Sequence, residues 1–391
     1  MTAALQFERA WFIMLAGCVP ATLGWWDNGH MLVAEVARQQ LDAAEVDKLN
    51  ELFREWEHDY PGACDVTTVA VWPDMIKCTQ VSSYCAKPLS DALGQFDSWH
   101  FSDKPYNPDN VPLSDIQTSL YDKNPSAQWV LASAMNTFNK SRSRFAFNMM
   151  LRFVIHIVGD VHQPLHNVEG FFNDKAIPHL DHGDVGGNLI HVANVSFAKN
   201  LHAFWDAAAG LYLTNWPYST ADTALLEQNA SELLKAHPPA SFPSYNATEL
   251  RPCWNDGGRQ DCKDVFQRWA SEAYDLAVKD AYQHISQGGT PSEAYVLNAQ
   301  HLSQRQITLG GRRLGDLLKA VAARLPPAQS NGPEKANEAG VFRMRIGLAV
   351  LISLNVMLVV AVITLVLRLR RISVAGRANR NTALLTVAAG A

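Results

Sequence analysis

Apolar residues recur at helical spacing through most of this chain, and that recurrence places its elements. From Met31 to Trp56 the apolar positions include Val33, Val36, Ala37, Leu41, Ala44, Leu49, Leu52 and Phe53, the stripe of a helix buried on one side. The same spacing returns at about Ser126 to Phe138, Phe145 to Val161, Phe197 to Leu211, Cys262 to Gln287 and Pro291 to Arg324. Between these runs the pattern lapses. A looser, cysteine-containing stretch carries Val71 to Lys77 and Ser98 to Asp103, Pro105 and later prolines read as loop, and Asp181 to Asn188 is a Gly-rich turn. Leu189 to Val195 reads as a short strand. With no internal repeat, residues 25–325 read as one mainly α domain.

The two ends break this pattern. Arg9 precedes the apolar run Trp11 to Cys18, and small residues at Thr22 and Gly24 mark a signal peptide over 1–24, cut before Trp25. After a Pro/Ser/Gly/Glu-containing stalk at 326–345, Ile346 to Leu367 is uncharged and long enough to span a bilayer. The tail at 368–391 carries Arg368, Arg370, Arg371, Arg377 and Arg380 and no acidic residue, which by the positive-inside rule makes it cytoplasmic. The expectation is a single-pass type I protein, most simply of the plasma membrane, with its large domain facing outward or into a lumen.

Composition narrows the function. The chain has 391 residues, 48% hydrophobic and 18% charged, so a sizeable core can form. A net charge of −5 argues against holding nucleic acid on a basic surface, so any phosphate chemistry needs metal ions for its positive charge. Removal of Cys18 with the signal peptide leaves an odd number of cysteines, and short loops allow Cys253 with Cys262 and Cys78 with either Cys64 or Cys85. Sequons at Asn139, Asn194, Asn229 and Asn246 are permitted in a secreted domain.

Chemistry concentrates in the run from Phe153 to His166. His156 and Asp160 stand four apart inside an otherwise apolar helix, so their side chains converge on one point, and His166 follows just past Pro164. In isolation such a pair reads more readily as a satisfied core hydrogen bond than as a ligand pair. The wider set decides otherwise: His30, Asp74, His100, His166, His202 and Asp206 join it, all nitrogen or oxygen donors and none of them cysteine. That donor set suits catalytic zinc with open positions, at several ions rather than one.

In the order and spacing of these motifs, from Trp25 to Asp206, the chain resembles the trinuclear-zinc class I nucleases, and most of all their membrane-anchored trypanosomatid branch, the 3′-nucleotidase/nucleases. The resemblance implies a zinc-dependent nuclease/phospholipase C-like helical domain holding three Zn2+ ions. It implies that Trp25, as the new N-terminal residue, binds one ion through its amino nitrogen and carbonyl oxygen together with His30. Asp160 bridges that ion to a second held by Asp74, His100 and His156, and His166, His202 and Asp206 hold the third. Phe101 and Asp103 match positions that stack on and hydrogen-bond a nucleobase, Lys77 matches a cation beside the phosphate, and Asn188 a phosphate contact. The implied reaction is attack by a zinc-bridging hydroxide on 3′-nucleotides and single-stranded RNA or DNA, breaking the P–O3′ bond. No protein partner is implied.

Other readings stay open at single positions. Phe101 also reads as core, Lys77 as a solvated charge and Asn188 as a turn residue, while His162, His182 and His191 read as structural and Trp26, Trp72 and Trp99 as packing around the site. Bacterial zinc phospholipases C also begin with a ligating Trp, but the short interval from Trp25 to His30 and the use of Asp206 as last ligand tell against them. A zinc-stabilised receptor without turnover is the remaining alternative, and the intact pair Phe101 and Asp103 speaks against it.

Overall fold

Asp42 divides the first apolar run. The computed structural model describes residues 25–78, 85, 87, 93–113, 125–173, 183–254 and 259–328, and in it the run folds as helices α1 (Asp27–Arg38) and α2 (Ala43–Arg54). The Asp42 carboxylate accepts the Glu45 amide at 2.8 Å and the Glu45 carboxylate accepts the Asp42 amide at 2.9 Å. This reciprocal cap starts a new helix where the spacing alone suggests continuity.

A 3₁₀ turn, Thr68–Val71, leads into the short α3 (Trp72–Met75), and a second 3₁₀ segment, Gly94–His100, precedes an extended Phe101. Then come α4 (Ala127–Lys140) and α5 (Arg144–Asp160), the latter capped by Ser143, whose hydroxyl accepts the Ala146 amide at 3.3 Å. From Leu151 to Asp160 every residue of α5 is buried. It is the central helix, packed by α1 and α4 and by the last helix of the domain. Trp72 and Trp99 pack their rings on Phe153 of α5, at centroid distances of 5.5 and 4.7 Å.

The remaining α-helices among the described residues are α6 (Leu201–Asp206), α7 (Thr220–Ala236), α8 (Arg259–Leu276, continued by a π turn over Ala277–Ala281) and α9 (Glu293–Ala322). The run from Phe197 yields a shorter helix than its spacing suggests. The Asn200 side chain accepts the Ala203 amide at 2.8 Å and so fixes the start of α6.

The β structure departs from expectation. Leu189 to Val195 makes only isolated bridges, His191 to Asn200 and Val192 to Gly289. The strands of the described residues are β1 (Lys104–Tyr106) and β2 (Val168–Gly170), paired in parallel with Pro105 opposite Glu169. A two-stranded sheet has only edge strands, where the missing amide of Pro105 is tolerated.

Disulfides join Cys78 to Cys85 and Cys253 to Cys262, while Cys64 is a free thiol. One compact unit ends at Pro327. Among the described residues no helix is long and apolar enough to cross a membrane. The expected signal peptide, Ile346 to Leu367 and the basic tail lie outside the described residues, as does His182.

Candidate metal centre

The C-terminal end of α5 is where the candidate ligands meet. His30 comes from α1, Asp74 from α3, His156 and Asp160 from the last turns of α5, and His202 and Asp206 from α6, while His100 ends the 3₁₀ segment Gly94–His100 and His166 lies in a 3₁₀ turn, Pro164–Asn167. All are buried. They fall into three groups, each with its donor atoms within 4.8 Å of one another: His30, His156 and Asp160; Asp74, His100 and His156; His166, His202 and Asp206. His156 belongs to two of the groups and stacks on His30 at a centroid distance of 3.7 Å.

Ring orientation shows what the donors face. The Nδ1 atoms of His156, His166 and His202 lie 2.6, 3.0 and 2.7 Å from the carbonyl oxygens of Ala70, His100 and Gly186. A carbonyl oxygen only accepts, so each Nδ1 carries the ring proton and each Nε2 presents a lone pair. The Nε2 atoms of His166 and His202 nonetheless stand 3.1 Å apart. Protonation does not resolve this contact, because burial holds His202 down to about 4 and His166 well below the ordinary imidazole value. Two facing lone pairs need a cation between or beside them.

The carboxylates make the same demand. Burial pushes Asp160 up to about 7 and Asp206 well above the usual carboxylate range. Both stand at C-terminal ends of helices, where the backbone dipole disfavours a negative charge. His30 Nε2 lies 3.3 Å from Asp160 Oδ1, yet neither atom is hydrogen-bonded, and His100 Nε2 is buried without a partner. At Asp74 burial raises the carboxyl, but the Lys77 ammonium at 3.1 Å, with His156 and His30, outweighs it and leaves Asp74 lowered. The donor set is thus neutral imidazoles and buried carboxylates with orphaned lone pairs, which fits divalent zinc.

Room at the centre is limited by backbone. A Cβ on Gly159 would sit 2.6 Å from His30 Nδ1, so only glycine lets α5 approach α1 beside the ligands. Trp25 is fully buried, its indole N–H donating to the Gly159 carbonyl at 3.0 Å, and the next amide, of Trp26, donates to the Asp206 carbonyl at 3.1 Å. Trp25 and Trp26 therefore touch the chain beside Asp160 and at Asp206, the carboxylates that end α5 and α6.

Phe101 is half-buried and stacks on His166, with centroids 4.9 Å apart and planes 28° from parallel. Asp103 is half-buried, and desolvation raises its carboxyl to about 6. Lys77 is buried rather than solvated, 3.1 Å from Asp74 and 3.6 Å from Asp97. Asn188 is turned into its own loop, donating from its side chain to the Val185 carbonyl at 2.8 Å. His162 lies between the Val158 carbonyl and Arg313, at 2.7 and 2.9 Å, and His191 is exposed.

Supporting residues escaped the sequence reading. The Gln163 side chain donates to Asp206 at 2.6 Å, and the only hint of it is a polar residue in the apolar run before Pro164. The orienting carbonyls of Ala70, His100 and Gly186 carry no sequence signal, since every residue has a carbonyl. Gly186, at φ +58°, is the exception in part: a Cβ there would meet the Leu165 carbonyl oxygen at 2.6 Å.

Comparison with known proteins adds an independent line. The family model described as S1/P1 Nuclease matches residues 25–323. Endonuclease 3 of Arabidopsis thaliana is 26% identical over 326 residues, covering 80% of this chain and 95% of that protein. Nuclease S1 of Aspergillus oryzae is 25% identical over 316 residues, covering 77% and 93%, and Nuclease P1 of Penicillium citrinum is 24% identical over 301 residues, covering 76% and 97%. Among solved structures, the alpha toxin from Clostridium absonum has a TM-score of 0.36 at 14% identity, covering 79% of this chain and 66% of its own, too slight a likeness to argue from. With a match over nearly all the described domain and donor groups suited to three zinc ions, the chain belongs to the S1/P1 nuclease family, a family of trinuclear zinc hydrolases.

Proposed function

We propose that this nuclease hydrolyses the P–O3′ bond of 3′-nucleotides and of single-stranded RNA and DNA. Mononucleotides then yield nucleoside and phosphate, and polymers yield products ending in 5′-phosphate. The observation that carries this reading is the stacking of half-buried Phe101 on His166, because it sets an aromatic platform directly against one of the metal groups. A base stacked on Phe101 brings its own 3′ oxygen toward the ligands, and a single platform suits one splayed base rather than a duplex.

The bound zinc ions supply Lewis acidity, lowering the pKa of water and stabilising charge on the phosphoryl and departing 3′ oxygens. The protein's own groups do the rest. Asp160, with one oxygen toward His30 and the other toward His100 and His156, would help hold zinc with the donors on either side of it. Lys77 keeps Asp74 ionised and adds positive charge beside the phosphate. Asp103 hydrogen-bonds the base, and Asn188 borders the phosphate. Trp25 would help His30 hold one ion once signal-peptide cleavage frees its amino group. Residues 346–367 anchor the enzyme in the membrane, with the catalytic domain outside.

The test is phosphate release from 3′-AMP by zinc-loaded protein, together with end analysis of cleaved single-stranded RNA. No phosphate, or RNA fragments ending in 3′-phosphate, would overturn the reading, since the latter require the other ester bond to break.

A further inference from the structure

A cavity of about 380 Å³ opens beyond the end of β1, lined by Phe172, Ile190, Tyr282 and Ile285 with Asn173 and Ser286 among the polar residues around them. Ile190 and Tyr282 are buried, Phe172 and Ile285 half-buried, and Asn173 and Ser286 exposed. An apolar floor under a polar rim is the usual build of a small-molecule site, and the volume falls within the roughly 300–1,000 Å³ of such sites. Neither the candidate zinc ligands nor Phe101 and Asp103 line it, so it is distinct from the metal centre and from the first base platform.

The lining says what the cavity can take. Among its described residues there is one carboxylate, Asp109, and no lysine, arginine or histidine. A phosphate would find no positive charge there, whereas a flat neutral group finds aromatic and amide partners. Asp109 accepts the Asn173 amide at 2.8 Å and so fixes Asn173 at the rim. The Asn173 side chain can both donate and accept, which is what the edge of a nucleobase requires. Gln287 is engaged within the protein, accepting the His191 amide at 2.6 Å and donating to the Leu189 carbonyl at 3.2 Å, and serves as wall.

The cavity is continuous with the base site through β1. The Tyr282 ring stacks on Tyr106, the last residue of β1, with centroids 5.4 Å apart, and Phe172 packs on the same two rings at 5.9 and 5.3 Å. Phe101 precedes Tyr106 by five residues, so their Cα atoms lie within about 18 Å of each other, the span of a few nucleotides of single strand. The Tyr282 hydroxyl also donates to Asp184 at 2.8 Å, and two residues further the Gly186 carbonyl orients His202.

The geometry points to a second base subsite in this cavity, holding a nucleobase of the same strand a few nucleotides from the one on Phe101. It serves polymers and not mononucleotides. A 3′-mononucleotide fills the Phe101 site alone, whereas a strand held there presents its further bases to the cavity at high effective concentration. The inference rests on the polymer-cleaving part of the proposed function and deepens it.

The experiment compares the zinc-loaded full chain with Phe172→Ala and Ser286→Leu. Phe172→Ala removes an aromatic wall, and Ser286→Leu occludes the cavity from its exposed rim without disturbing the core. The probe is a short oligodeoxyadenylate with uncleavable methylphosphonate linkages, and phosphate release from 3′-AMP is the control. In both variants the dissociation constant for the oligomer should rise roughly fivefold or more, while kcat/KM for 3′-AMP and zinc content stay at the parent's values. Should Phe172→Ala fail to fold, Ser286→Leu alone decides. Oligomer binding unchanged in Ser286→Leu overturns the inference, as does an equal loss on 3′-AMP, which would mean that the substitutions disturb the first site. Cleavage of ordinary oligodeoxyadenylate by the parent is scored separately. A parent that cleaves no oligomer yet binds the methylphosphonate strand in a cavity-dependent way refutes the proposed reaction on polymers and leaves the subsite standing. An active parent whose variants bind the strand equally refutes only the subsite.

Discussion

His166 and His202 turn their Nε2 atoms to 3.1 Å from each other while the carbonyls of His100 and Gly186 keep either ring from swinging away. The contact is repulsive between neutral rings and becomes favourable when both bind one cation. The pair is thus pre-oriented for metal by backbone alone, and its carboxylate partner, Asp206, is oriented by Gln163.

Gln163→Leu should therefore loosen one zinc ion and spare the others. Loss of such an orienting partner weakens metal affinity about 10–100-fold. Competition with a graded chelator should show one ion leaving earlier than in the parent, with the rest unchanged. Identical release curves would show that Gln163 does not position Asp206 for metal.

An extra alanine before Trp25 should lower both zinc content and activity relative to a chain beginning at Trp25. An acylated amide lacks the lone pair that an α-amino group offers a metal. Trp25 is fully buried against Gly159, which leaves little freedom for the chain end to adjust. Equal zinc content in the two proteins would remove the N-terminus from the ligand set.

Phe101→Ala should raise KM for 3′-nucleotides and leave zinc content intact, because stacking contributes roughly 1–3 kcal/mol per base. His166 keeps its bond to the His100 carbonyl in this variant, so metal binding is not expected to change. Unchanged kinetics would return Phe101 to the role of a packing residue.

The pH dependence of stability has a contribution that lies away from the ligands. Burial pushes the Asp184 carboxyl up to about 6 from an ordinary 3.8. Between those values the folded state holds more protons than the unfolded state, so this group's contribution falls as pH rises through the window and is constant above it. Asp184→Asn can keep the bond from the Gly170 amide and reverse that with the Tyr282 hydroxyl. The variant should gain on the parent by about 2 kcal/mol between pH 4 and pH 7, read as the difference in urea-unfolding free energy. A pH-independent difference would show that Asp184 does not titrate in that range.

What could be read from the sequence was what repeats or what is chemically rare. The apolar period reveals α4, α5 and α9, and buried-looking His and Asp residues reveal the donors that the structure brings together. What could not be read was set by single local bonds. The cap at Asp42 splits one stripe into two helices, and the cap at Asn200 shortens α6. β1 and β2 form because their partners meet across a long stretch of chain, which no local pattern in Lys104 to Tyr106 announces.

The position of Asp160 and His156 in the most deeply buried helix has a consequence for how the protein matures. The middle of the fold is also its loading dock: without ions, α5 ends on uncompensated charge and orphaned nitrogen atoms at the point where α1, α3 and α6 converge. Each ion bound to the native state alone stabilises it by mass action, so occupancy and foldedness are one linked equilibrium. Zinc starvation should consequently show itself as a shortage of enzyme molecules before it shows itself as a population of intact but idle ones.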